Sequence, residues 1–212
     1  MTRLVEYIEK KETDFDIFNQ VYENANLYFW KTMQKAKRFM YRGSERSIDT
    51  FEVIPRNVNK ARNPVSMPYA YHTIFNELFK KKFGWYVRNG AFAISDWEFT
   101  RMFGEIYIFI PMGNKLQYVW SPYIQDLNFY IQKLNDGILD RAMAIASKEF
   151  DFVFECLRDI EDDERKLRIV FKVIVDMYQD HDLLGAFKKE HEVIFNCSEY
   201  MLVNGDYTEG FI

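Results

Sequence analysis

The sequence has little cysteine, little histidine and no long hydrophobic run. Its two cysteines, Cys156 and Cys197, are too few for a disulfide framework, and neither belongs to a CxxC or Cys/His cluster. We therefore expect buried thiols, a reducing compartment and no structural zinc. The three histidines lie in different segments, so no metal site is expected. No window approaches the roughly 18 apolar residues of a membrane span, and residues 1–16 include no signal-peptide core, so we expect a cytoplasmic protein without membrane contact.

A strong charge of one sign is also missing. Lys and Arg number 28 against 32 Asp and Glu, a net charge of −4, which disfavours a protein held to nucleic acid mainly by phosphate neutralisation. Aromatic residues reach 18%, and core filling explains them better than base stacking. The proline-bearing segment 44–68 carries Arg46, Arg56, Lys60 and Arg62. We interpret it as a long irregular loop, either solvated or wrapped around an anionic ligand or partner.

The hydrophobic pattern predicts an α+β fold. Helical spacing occurs over 4–33, 69–83, 138–157 and 167–178, and short apolar runs predict strands at 38–42, 90–95, 106–110, 116–120, 192–196 and 199–203. We expect one domain, 1–212, with a split mixed β core of six or more strands. Its parts are a helical N-terminal segment (1–36), the first part of the core (37–136), a helical insertion (137–180) and C-terminal strands (181–212).

The common catalytic and nucleotide-binding motifs are absent. The chain has no GxxxxGK[ST], GxGxxG, HExxH or GxSxG sequence and no EF-hand spacing, which disfavours the usual nucleotide, metal and hydrolase classes. Three blocks on separate predicted strands remain. They are Tyr41-Arg42-Gly43, Phe92-Ala-Ile-Ser95 with the short helix that follows it, and Glu190-His-Glu192 before a hydrophobic strand.

This order of arginine, serine and glutamate resembles the mono-ADP-ribosyltransferase family of the arginine-serine-glutamate type. The similarity is greatest to the small enzymes encoded by bacteriophages and to related bacterial toxins. The resemblance implies the split β core of that family, with a helical insertion between Ser95 and Glu192. It also implies NAD as a substrate and transfer of ADP-ribose to a host macromolecule, with arginine as one acceptor residue. A phage-encoded protein of this kind would act in the host cytoplasm on a host protein.

The resemblance assigns Arg42 to the NAD phosphates, with Tyr41, Gly43 and Phe92 beside it in the NAD site. A guanidinium suits this role because it is always charged and presents a bidentate fork. Ser95 is the one hydroxyl in the triplet Ala93-Ile94-Ser95, where the family has three, and as a catalytic and NAD-site residue it would position the nicotinamide ribose and the catalytic glutamate.

The same resemblance makes Glu192 the catalytic carboxylate and Glu190 its partner. A carboxylate near the ribose would stabilise the oxocarbenium-like state in which the nicotinamide–ribose bond breaks. Positions i and i+2 of a strand face the same side. Glu190 would then orient or deprotonate an incoming guanidinium.

Simpler interpretations of these residues remain open. Two glutamates two positions apart are often the solvent face of a strand, Ser95 can be a turn or cap residue, and Arg42 can pair with a surface acid. The alternative function is therefore a catalytically inactive binding protein, such as an inhibitor of a host factor. A nucleic-acid-directed protein that uses the basic segment 44–68 is a weaker third hypothesis.

Overall fold

The protein combines seven described helices with two antiparallel sheets. The computed structural model describes residues 15–64, 67–135, 163–207 and 211. The helices are α1 (residues 15–24), α2 (Leu27–Ala36), α3 (Tyr69–Phe83), α4 (Trp97–Thr100), α5 (Leu127–Asn135), α6 (Asp163–Asp176) and α7 (Leu183–Lys189). The strands are β1 (Tyr41–Ser44), β2 (Phe51–Pro55), β3 (Ala91–Ala93), β4 (Glu105–Pro111), β5 (Gln117–Trp120), β6 (Val193–Asn196) and β7 (Glu199–Asn204).

The larger sheet has the strand order β1-β4-β7-β2. Its centre is the β4–β7 pair, in which Ile108 lies opposite Val203. Strand β2 falls inside segment 44–68, so the prediction of a continuous irregular loop there is wrong. Val53 and Ile54 pair with the apolar strand β7, and the edge position tolerates Pro55, which has no N–H to donate.

The smaller sheet has the order β3-β6-β5. The division into two sheets confirms the predicted α+β class with a split core. Every strand pair in the described part of the chain is antiparallel, so the predicted mixed character of that core is wrong. The hydrophobic run in β4 does not reveal strand direction, because a strand buried on both faces looks alike in either kind of sheet.

The smaller sheet separates two hydrophobic clusters. In β6 the buried residues alternate: Val193 and Phe195 belong to the cluster shared with the larger sheet, α2 and α7, whereas Ile194 belongs to the cluster under α3, α5 and α6. Alternation of this kind follows from the two-residue period of a strand. The sheet is thus packed on both faces, which fixes the strand ends that carry the candidate residues.

Helix ends follow the sequence signals closely. The side chain of Asp96 accepts a hydrogen bond from the Phe99 N–H at 2.9 Å and caps α4, and Gly84 ends α3 in the left-handed conformation, as predicted. The predicted helix at 167–178 is confirmed by α6, whereas the one at 138–157 lies outside the described residues. Segment 181–212, predicted as strands, also contains α7, whose Phe187 packs in the core.

The structure tests only part of the predictions about cysteines and membrane contact. Cys197 is a free, buried thiol, and burial raises its pKa to about 12, which disfavours a nucleophilic role. Cys156 lies outside the described residues. Among the described helices, none has the length and apolar character to cross a membrane.

Candidate functional site

A backbone pair joins the two sheets at the centre of the candidate site. Tyr41 donates its N–H to the Ile94 carbonyl at 2.7 Å, and Ile94 donates to the Tyr41 carbonyl at 3.0 Å. This bridge places the end of β3 beside β1. The first two sequence blocks therefore meet through main-chain bonds that do not depend on their side chains.

An open cavity of about 500 Å³ lies over this junction, within the size range of small-molecule sites. Of the residues assigned to an NAD site from the sequence, Tyr41, Arg42, Gly43, Phe92 and Glu192 line it. Its other charged residues are Glu45, Arg62, Arg88 and Asp126, and its apolar residues include Ile94, Phe99, Met102 and Phe103. The cavity thus combines guanidinium groups, carboxyl groups and aromatic rings.

Arg42 is anchored at the wall of the cavity. Its Nη1 donates to the Phe92 carbonyl at 2.8 Å, and its guanidinium lies 5.5 Å from the centroid of the Tyr200 ring. Arg56 lies close enough for its pKa to be lowered, first by burial and then by the positive charge of Arg42. Positive charges held near one another in a partly buried site favour an anionic ligand.

Phe92 organises two further guanidinium groups. The Cζ atoms of Arg62 and Arg88 lie 4.8 and 4.7 Å from the centroid of its ring, at cation–π distance. Burial, followed by the charges of Arg42, Arg88 and Arg56, lowers the pKa of Arg62 to about 10. Arg62, one of the basic residues of segment 44–68, therefore lines the cavity.

Glu192 lines the cavity with its side chain only 12% exposed. Burial, the negative charge of Asp126 and a hydrogen bond with the Asp126 carboxyl group together raise its pKa to about 8, whereas the positive charges of Arg88 and Arg62 oppose the shift. Arg88 Nη1 is 3.5 Å from Glu192 Oε2. Within the described chain, neither atom has a hydrogen-bond partner.

A buried polar network holds Arg88 in place. Asn76 Oδ1 accepts the backbone N–H of Arg88 at 2.8 Å, and Asn76 Nδ2 donates to Asn89 Oδ1 at 3.0 Å. His72 Nε2 lies within hydrogen-bond distance of both asparagine side chains. Asn89 also donates to the Val58 carbonyl at 3.0 Å. The network joins α3 to segment 44–68 and orients the turn that presents Arg88.

Two of the predicted site residues do not line the cavity. Ser95 is buried, and its hydroxyl donates to the Phe187 carbonyl at 2.7 Å. Glu190 caps α7 with a left-handed backbone, φ 59°, and its carboxylate pairs with Arg38. Strand β6 begins only at Val193, so the expectation that residues 190 and 192 share a strand face is wrong.

The sequence reasoning missed Arg88 and Asp126. Asp126 carries a recognisable signal, since an aspartate before the apolar pattern of α5 is typical of a helix N-cap, and its Oδ1 accepts the Phe129 N–H at 2.6 Å. Arg88 carries no such signal, because it lies in a short 3₁₀ turn, Val87–Asn89, that no periodic pattern marks.

Comparison of the chain with protein-family models, with curated proteins and with solved structures found no match. The described residues contain no group of three or more His, Cys, Asp or Glu side chains arranged to hold a metal ion.

Proposed function

We propose that the protein binds NAD in this cavity and transfers its ADP-ribose to a host macromolecule. The observation that carries the proposal is the convergence in one cavity of Arg42 from β1, Phe92 from β3 and Glu192 just before β6. Arg42 and Glu192 are two of the motif positions at which the sequence resembles the arginine-serine-glutamate transferases, and Phe92 belongs to the block that contains the third, Ser95.

The charges of the cavity suit the parts of NAD. Arg42 and Arg62 supply guanidinium groups for the diphosphate, and the Phe99 and Phe103 rings supply apolar surface for a heterocycle. Ionised Glu192 would hold a ribose hydroxyl and stabilise positive charge on the ribose. The bond from the ribose C1′ to nicotinamide breaks, nicotinamide leaves with the electron pair, and an acceptor oxygen or nitrogen attacks C1′ and loses its proton.

Calorimetric titration with NAD tests the first step. We expect saturable binding to the wild type and a loss of at least about 10-fold in affinity for Arg42→Ala, because charge-assisted contacts to phosphate are removed. Arg46→Ala is the matched control, since Arg46 is exposed and pairs with Glu52 at 3.1 Å outside the cavity. Wild-type protein that does not bind NAD would refute the proposal.

Cleavage of labelled NAD tests the chemistry. We expect Glu192→Gln to leave NAD binding largely intact and to slow release of nicotinamide by about 100-fold or more, because the charge that stabilises the transition state is lost. Undiminished cleavage by this variant would remove Glu192 from the catalytic role.

A second candidate function is a catalytically inactive binding protein. Ala93 and Ile94 stand where hydroxyls are expected, and the Ser95 hydroxyl is committed to Phe187. Met102 and Phe103, beside the cavity, are 62% and 48% exposed, which leaves apolar surface available for a partner. A host protein that binds saturably to wild type and Glu192→Gln alike, together with no NAD binding, would favour this candidate.

A further inference from the structure

The chain just before α5 is hydrogen-bonded to Glu192, the residue with the candidate catalytic carboxyl group. The Glu192 N–H donates to the Gln125 carbonyl at 2.7 Å. The Gln125 side chain in turn donates to Asp96 Oδ2 at 3.2 Å. These bonds hold the start of α5 against the start of β6 and bring Asp126 into the cavity beside Glu192.

Asp126 caps α5 with one carboxyl oxygen and also lines the cavity that contains Glu192. Its Oδ1 caps α5 through the Phe129 N–H at 2.6 Å. Its side chain lines the same cavity as Glu192, and after burial its negative charge is the largest cause that raises the pKa of Glu192. Glu192 therefore resists ionisation, because its negative charge would be repelled by that of Asp126 and burial removes the water that would screen the two. One proton between them converts the repulsion into a hydrogen bond.

We propose that Asp126 supplies the second carboxyl group of the site, that Glu192 keeps a proton that it shares with Asp126 through a hydrogen bond, and that this proton sets the charge the cavity presents to its substrate. Asp126, from a different part of the chain, then supplies the second carboxyl group that the resemblance assigned to Glu190. The substrate in this statement rests on the proposed function, whereas the shared proton does not.

The charged groups around Glu192 and Asp126 determine how this proton changes the charge of the cavity. The 3₁₀ turn contributes Arg88, segment 44–68 contributes Arg62, β1 contributes Arg42 with Glu45 after it, and the chain after α6 contributes the Tyr178 hydroxyl. With the proton bound, the cavity carries less negative charge and favours the diphosphate. Without it, Glu192 is ionised and able to hold a ribose hydroxyl. Affinity for NAD should therefore fall, and the cleavage step should accelerate, as the pH rises through the titration of the pair.

A carboxyl titration followed by NMR tests the shared proton without any substrate. Protein labelled with ¹³C in the glutamate carboxyl groups is titrated, and Glu192→Gln identifies the signal of residue 192. We expect this group to titrate well above the ordinary carboxylate range. In Asp126→Asn its midpoint should fall by about one pH unit or more, because the neighbouring charge is gone. Asparagine keeps the oxygen that caps α5, so the helix start is preserved.

Glu190→Gln is the matched control, since it removes a nearby carboxylate that faces Arg38 and not the cavity. It should leave the midpoint of residue 192 unchanged. An ordinary midpoint in the wild type, or the same midpoint in Asp126→Asn, would overturn the shared proton.

The pH profile of NAD cleavage separates this proposal from the proposed function. We expect Asp126→Asn to move the alkaline rise in kcat to lower pH by the shift seen in the NMR titration. A shared proton in a protein that binds no NAD at any pH upholds the carboxyl pair and overturns the proposed function. If the protein binds and cleaves NAD but the two carboxyl groups titrate independently, the proposed function is upheld and the shared proton is overturned.

Discussion

Gly43 allows β1 to lie against the backbone of Phe103, which borders the cavity. A Cβ at this position would lie 2.6 Å from both the Cβ and the carbonyl oxygen of Phe103. We expect Gly43→Ala to lower the free energy of unfolding by about 1–3 kcal/mol, because a backbone contact this close cannot be relieved by a rotamer change. NAD affinity should fall as well, since Arg42 and Phe103 both border the cavity. Urea unfolding and calorimetry measure the two effects.

Gly205→Ala is the control for that substitution. A Cβ there meets nothing within 4 Å, so its effect should stay within about 0.5 kcal/mol. Equal destabilisation by the two substitutions would show that the loss of glycine, and not the contact with Phe103, is responsible.

Single residues also show where prediction from the sequence succeeds and where it ends. Arg42 and Glu192 were predicted as site residues and both line the cavity. Glu190 was placed with them on the assumption that residues 190 and 192 lie on one strand. Instead Glu190 takes a left-handed backbone at the end of α7, with φ 59°. A non-glycine residue in this conformation is uncommon, and no local pattern announces it.

At the scale of elements, Lys82 connects two helices across the second hydrophobic cluster. Its Nζ donates to the carbonyls of Val175, Asp176 and Tyr178 at 3.0, 2.9 and 2.7 Å, which satisfies the end of α6. We expect Lys82→Met to lower the free energy of unfolding by about 1 kcal/mol and to speed hydrogen exchange at the end of α6. Lys81→Met, one position along α3, should do neither. Exchange rates unchanged in Lys82→Met would contradict this account.

Elements with strong periodicity were predicted well, whereas a strand that depends on its neighbour was not. The spacing of apolar residues predicts α3 with both of its ends, because one face of that helix packs on α6. Strand β2 is short, lies among prolines and arginines, and has its hydrogen-bond partners nearly 150 residues later in β7. Pairing over such a separation leaves no local trace in the sequence.

At the scale of the whole molecule, the site is assembled from segments that are far apart in the chain. The buried polar network holds Arg88 and joins its turn to the segment that carries Arg62, and the capping of α5 holds Asp126. The bridge between the sheets brings the end of β3 beside β1. The sequence marks each segment as basic, polar or capped without indicating that they meet. The strand that carries Arg42 and the strand that follows Glu192 could be predicted, and the residues that set the electrostatic environment of these two side chains could not.

The buried carboxyl of Glu192 makes the stability of the whole molecule depend on pH. Its pKa is about 8 in the folded protein against an ordinary value of 4.5, so between these values the folded state binds a proton that the unfolded state has released. The free energy of unfolding should therefore fall as the pH rises through this interval, by on the order of a few kcal/mol. Glu192→Gln cannot titrate, so its unfolding free energy should vary less from pH 5 to pH 8 in urea titrations. Because this test needs no ligand, equal slopes for the two proteins would mean that Glu192 is already ionised at pH 5 and that Arg88, and not Asp126, dominates its surroundings.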